Sequence, residues 1–184
     1  MTKFYTGTGD KGKSVFGKII LPKSDSVFEA IGSLDELNAV IGFCRVEVEK
    51  NRSMDGKKIA EILFEIQETF FLIQAEIASA RFKFDIPRRM DSREVVSLEK
   101  IIEELSKKLP EINKFQIPGG SELSARLNIA RTIARRAERA VVSFNQKKIS
   151  SELVRYLNRL SSLLFVMSRY VNYCLKIKET SPKY

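Results

Sequence analysis

Residues 7–14 read GTGDKGKS, and their surroundings separate an α/β protein from an all-helical one. Gly7, Gly9 and Gly12 fit the G-x-G-x-x-G spacing of a dinucleotide-binding turn, while Gly7, Gly12, Lys13 and Ser14 fit the G-x-x-x-x-G-K-[ST] spacing of a P-loop. Both patterns need a strand before them and a helix after them in a βαβ unit. Only six residues precede Gly7, and the VFGKIILPKS after Ser14 holds Gly17, β-branched Ile19 and Ile20, and Pro22, all unfavourable to a helix. No later run of buried parallel strands is available to build a sheet. Neither architecture fits. The glycines, with Thr6, Thr8, Lys11, Lys13 and Ser14, could still wrap N–H and ammonium groups around phosphate oxygens; a solvated N-terminal arm fits the same composition.

Outside this segment the apolar residues recur at helical steps. Leu34, Leu37, Ile41, Cys44 and Val48 form one stripe, and Ser33 with Glu36 supplies a capping box that predicts a helix start at Ser33. After a polar break at 51–58, Ile59, Ile62, Ile66, Phe70, Ile73 and Ile77 predict a longer helix bounded by Pro87. A third helix is expected from Asp91 or Ser92 to just before Pro110, through Val95, Leu98, Ile102, Leu105 and Leu109. Phe115–Gly120, FQIPGG, reads as a loop. A fourth helix follows Ser121, with Leu123, Leu127, Ala130, Ala134, Ala137 and Val141 inward, and a fifth runs from about Ser150 to Lys176, before a frayed tail ETSPKY. The expectation is an all-α, five-helix up-and-down bundle, a single domain over 1–184, with a glycine-rich N-terminal strap at 1–32 and the bundle at 33–177.

Composition limits the chemistry. The 184 residues are 43% apolar and 30% charged, as in a folded protein, and 32 basic against 23 acidic side chains give a net charge of +9. Such a surface favours polyanions: nucleic acid, anionic lipid or a polyphosphate. Histidine is absent, which removes the commonest general base and the commonest metal ligand together. Cys44 and Cys174 are far apart within apolar patterns and read as free thiols, and no metal-ligand residues are predicted. The N-terminus lacks the apolar core of a signal peptide, and LSSLLFVMSRYVNYCL is interrupted and too short to span a bilayer, so a cytoplasmic location is expected.

The densest functional signal is ARLNIARTIARRAERA at 125–140. Arg131, Arg135 and Arg139 are spaced by four and share one side of the helix with Asn128 and Glu138. Like charges so placed repel by roughly 0.2–0.5 kcal/mol per pair in an isolated helix, so an anionic partner is expected beside them. Arg155, Asn158, Arg159 and Ser162 repeat the pattern on the fifth helix. A solvated basic face is the simpler alternative for both.

Four segments together resemble the PduO-type ATP:cob(I)alamin adenosyltransferases: YTGTGDKG at 5–12, EAIGSLDELNAVIGF at 29–43, FQIPGGSELSARLNIARTIARRAERAV at 115–141 and YLNRLSSLLFVMSRY at 156–170. The resemblance implies a homotrimeric five-helix bundle with active sites between subunits. ATP as co-substrate would be held by the strap at Thr6, Gly7, Thr8, Gly9, Lys11, Ser14 and Val15, by Lys23, by Arg135, Arg136, Glu138 and Arg139, and by Asn158. It also implies catalytic roles for Arg131 and Arg135, for Asp35 pairing with Arg131 of a neighbouring subunit, and for Phe115 beneath the corrin ring. Cobalamin would be the substrate and Mg²⁺ would accompany the nucleotide, with an electron-donating reductase and an adenosylcobalamin-dependent enzyme as possible partners. In that reaction reduced cobalt is itself the nucleophile, which suits a chain without histidine. The chain departs from the family pattern at Asn128 and Ser162, where histidine and aspartate are common. Two other readings compete: a basic helical module for nucleic acid, disfavoured by the lack of tryptophan and by aromatics at core-like positions, and a ligand-free bundle, which leaves the arginine stripe unexplained. No nucleic-acid or membrane partner is expected.

Overall fold

The computed structural model describes residues 4–50, 56–144 and 149–183. Five helices follow a short hairpin: α1 (Ser26–Lys50), α2 (Gly56–Phe82), α3 (Ser92–Ser106), α4 (Glu122–Phe144) and α5 (Ser151–Cys174). Helix α4 packs on α1 and α5, α2 on α1, and α3 on α5. The bundle is all-helical as the apolar periodicity requires. Ala130, Ala134 and Ala137 on α4 are fully buried; side chains this small let two neighbours approach one helix. Larger side chains fill the remaining space, among them Leu34, Phe70, Ile73, Leu127, Leu157 and Leu164, all 0% exposed. Each such Leu, Ile or Phe contributes about 1.5–3 kcal/mol of burial free energy.

Several expectations need correction. Helix α1 begins at Ser26, two turns ahead of Ser33. Val27 and Ala30 extend the buried stripe backwards, and Asp25 supplies the start, its Oδ1 accepting from the Val27 N–H at 3.1 Å. Ser33 is therefore interior and buried, its hydroxyl donating to Glu29 at 3.3 Å, and the bundle starts before residue 33. Of the expected polar break, 51–55 lies outside the described residues and Gly56–Lys58 is already helical.

The second correction concerns the apparently aperiodic start. Strand β1 (Lys13–Phe16) pairs antiparallel with β2 (Ile19–Pro22), Val15 opposite Ile20. Gly17 turns the hairpin at φ 57°, a conformation that glycine adopts without a Cβ penalty. Phe16 stacks on Phe82 at 4.3 Å and on Phe84 at 5.4 Å, tying the hairpin to the end of α2. Third, helix α5 ends at Cys174 rather than Lys176, and the tail is docked instead of frayed through Thr180. Glu179 receives two hydrogen bonds from buried Arg169 at 2.9 Å, and the Thr180 carbonyl accepts from Ile117 N–H at 2.8 Å. Helix α3 opens as expected, with Asp91 as N-cap and Glu94 completing a capping box, but it ends at Ser106, so Leu109 lies beyond the helix instead of inside it. Tyr184 lies outside the described residues.

Candidate active site

The N-terminal loop is built from successive turns. Gly7 at φ 72° and Gly12 at φ 70° reverse the chain; Asp10 N–H donates to Gly7 O at 3.3 Å and Gly12 N–H to Gly9 O at 3.2 Å. The Thr6 and Thr8 hydroxyls are 2.8 Å apart. Lys23, just beyond β2, closes the unit: its N–H donates to Gly12 O at 2.9 Å, and a Cβ added at Gly9 would lie 3.0 Å from its Nζ. The fold thus brings Thr6, Gly7, Thr8, Gly9 and Lys23 together. Lys11 is exposed nearby in sequence, and Ser14 and Val15 lie on β1, half-buried and exposed respectively.

On α4 the arginines fall into two groups. Arg131 is half-buried and donates from Nε to Asn128 Oδ1 at 3.1 Å, while buried Asn128 donates to Ser124 O at 3.1 Å. Asn128 therefore orients Arg131. Arg136 pairs with Glu36 of α1. Glu138 accepts from Asn158 Nδ2 at 3.0 Å, Asn158 accepts from Arg159 at 2.9 Å, and Arg159 Nε donates to Glu99 at 2.9 Å, a polar chain across α4, α5 and α3. Arg135 and Arg139 are exposed and have no partner among the described residues. Their positive charge is uncompensated, as an anion site requires. Asp35 stands exposed on α1 and makes no ion pair with Arg131 within the chain. Ser162 is exposed on α5.

Phe115 and Arg131 meet in one cleft of about 630 Å³. Its walls are the Ile112–Pro118 loop on one side and Asn128, Arg131 and Phe165 on the other. Phe115 is 79% exposed, an aromatic face open to solvent in the cleft that Arg131 also lines. The size is that of a small-molecule site. No hydrogen bond or ion pair joins the N-terminal loop to α4 among the described residues, so one chain presents the glycine loop and the arginine stripe as separate surfaces.

Two features went unread in the sequence. Arg126, one helical turn before the stripe, is sandwiched by Glu47 at 3.1 Å, by Glu122, and by the Phe43 ring, 3.6 Å from its guanidinium carbon. Its partners on α1 are remote in sequence, so spacing could not reveal them; only Glu122, four residues away, was a local signal. Phe165, part of the cleft, is half-buried one position off the α5 core stripe and carries no distinguishing pattern in sequence. Burial pushes the neighbouring Cys44 thiol up to about 12, with Arg126 opposing. Among the described residues no group of three His, Cys, Asp or Glu side chains could hold a metal ion, and no helix is long and apolar enough to cross a membrane.

Residues 4–171 match the family described as cobalamin adenosyltransferase. The chain is 36% identical over 170 residues to the mouse corrinoid adenosyltransferase MMAB, covering 91% of this chain and 72% of the mouse protein. It is also 36% identical over 171 residues to the Bacillus subtilis corrinoid adenosyltransferase, covering 92% and 86%. The fold superposes with a TM-score of 0.89 on a variant of the Lactobacillus reuteri PduO-type ATP:corrinoid adenosyltransferase complexed with cobalamin and ATP, at 32% identity over 98% of this chain and 97% of that one. By sequence and by fold, this chain belongs to the cobalamin adenosyltransferase family.

Proposed function

We propose that this protein transfers the 5′-deoxyadenosyl group of ATP to the cobalt of reduced cobalamin, forming adenosylcobalamin and releasing triphosphate. The observation behind this reading is the open cleft lined by both Phe115 and Arg131, the latter on the helix that also presents Arg135 and Arg139, exposed and without a partner among the described residues. Cobalt(I) attacks ribose C5′ with its electron pair; the C5′–O bond breaks and its pair leaves on the triphosphate. The new bond is cobalt–carbon, and cobalt is formally oxidised from I to III. No protein base is required, consistent with a chain that has no histidine.

The protein's tasks are then positioning and charge stabilisation. Arg135 and Arg139 neutralise charge growing on the leaving triphosphate, and Arg136 and Glu138 frame them. The Thr6–Gly9 turn, Lys11, Ser14, Val15 and Lys23 cradle the nucleotide, with Asn158 contacting it from α5. Because no hydrogen bond or ion pair joins the glycine loop to the arginine face within one chain among the described residues, they come together between subunits of a homotrimer, where Asp35 of one subunit orients Arg131 of the next. Phe115 shields the lower face of the corrin, keeping water and the lower ligand from cobalt and easing its reduction. Mg²⁺ fits as an ion carried on the triphosphate with most of its water, needing one or two carboxylates rather than a protein cage; Glu138 is the carboxylate on the arginine face. A cytoplasmic setting with a reductase and a downstream adenosylcobalamin-dependent enzyme completes the reading.

Product analysis under anaerobic conditions tests the chemistry. With ATP, Mg²⁺ and cob(I)alamin, intact triphosphate should appear one for one with adenosylcobalamin. Pyrophosphate and phosphate released with no cobalt–carbon product would contradict direct displacement at C5′.

A further inference from the structure

The loop that presents Phe115 has one internal hydrogen bond, Gln116 Nε2 donating to Lys114 O at 3.2 Å, and its ends and Ile117 are held from outside it. Its entry is fixed by Arg169, which is 7% exposed and donates from Nη2 to Pro110 O at 3.1 Å. Its exit is fixed by Asn172, one turn further along α5 and 5% exposed, which donates to Gly119 O at 2.9 Å and accepts from Ser121 N–H at 3.0 Å. The middle of the loop is caught by the tail, whose Thr180 carbonyl takes the Ile117 N–H at 2.8 Å. The tail in turn is seated by the two-point ion pair of Glu179 with the same Arg169. Lys176, at φ 55°, redirects the chain after α5 so that Glu179 comes back toward that helix, and Ile177 N–H bonds Asn172 O at 2.9 Å.

We infer that residues 176–180 form a clasp, with Glu179 and Arg169 as positioning residues, that holds the Ile112–Pro118 wall of the cleft in its substrate-ready shape. The inference rests on the reading of that cleft as the corrinoid site. One arginine serves both ends of the device: it grips the loop's entry through Pro110 O and the tail through Glu179. Loosening the tail therefore frees Ile117, two residues from Phe115, while the N-terminal loop and α4 arginines are left untouched. The clasp should act on corrinoid use and not on ATP use, a separation that a general loss of stability would not produce.

The test uses Glu179→Gln, with Glu179→Asp as the conservative partner, in the full chain. Without substrates, exchange of the Ile117 amide should quicken at least about tenfold in Glu179→Gln, because its acceptor is no longer seated. In turnover, the KM for cobalamin should rise about fivefold or more with the KM for ATP unchanged, and Glu179→Asp should recover part of the loss. Unchanged Ile117 exchange, unchanged cobalamin KM, or equal changes for both substrates would each overturn the clasp. A wild-type protein that makes no adenosylcobalamin would instead overturn the proposed function, which keeps the two failures apart.

Discussion

Arg126 and Arg135 stand on the same helix and face opposite electrostatic surroundings. Arg126 is enclosed by two carboxylates and an aromatic ring, with a side chain only 11% exposed. Arg135 is exposed and has no partner among the described residues. The first charge has been neutralised by the fold and belongs to the packing of α4 on α1. The second has no counter-charge among the described residues, and we assign it to the triphosphate. A count of arginines could not separate these roles; the location of the carboxylates does.

The sharpest way to break that contrast is to remove each charge in turn. Arg126→Ala leaves Glu47, itself 11% exposed at the side chain, without its main cation. It should cost about 3 kcal/mol of unfolding free energy, read from denaturant midpoints. Arg135→Ala should do the reverse, leaving the midpoint unchanged and lowering turnover tenfold or more, equivalent to at least about 1.4 kcal/mol of transition-state stabilisation. Exchanged outcomes would show that the structural and functional arginines have been misassigned. Between these, Gly120→Ala puts a Cβ 2.5 Å from Asn172 Nδ2 at a φ of 95° and should destabilise by about 1–3 kcal/mol. The smallest effect is electrostatic and far from the cleft. The hydrogen bond from Arg81, then that from the Val27 N–H, hold the Asp25 carboxyl below its usual 3.8. The unfolded chain then binds the proton first as pH falls, so this stabilisation is full above about pH 4 and is lost below it. The stability gap between wild type and Asp25→Asn should close on that acid side, measured by urea unfolding against pH.

Much of the bundle was legible because each helix buries a stripe that repeats at three and four residues. Asp91 and Ser150 marked helix starts by local chemistry that the fold retains, whereas α3 stops at Ser106, short of the Pro110 expected to bound it. The start of α1 was misread because Ser33 and Glu36 have capping spacing inside a helix, while Gly32 obscured the continuing stripe at Val27 and Ala30. The hairpin escaped because its four-residue strands are too short for a period to register, although Gly17 and Lys18 between Phe16 and Ile19 have hairpin spacing. The tail was read as frayed since its polar composition hides Glu179, whose partner Arg169 is identified only in three dimensions. At the site, residue types pointed to an anion, and the Phe115–Arg131 pairing needed the loop to fold back on α4. The proposed pairing of Asp35 with Arg131 would lie between subunits, outside what one chain displays.

Optical spectroscopy of cob(I)alamin under strict anaerobiosis, with ATP, Mg²⁺ and catalytic amounts of the protein, tests the central claim most directly. The account predicts complete conversion to a light-sensitive cobalt–carbon product, at least tenfold slower with Arg135→Ala. Cob(I)alamin left unchanged by the wild-type protein, with ATP intact, would contradict it.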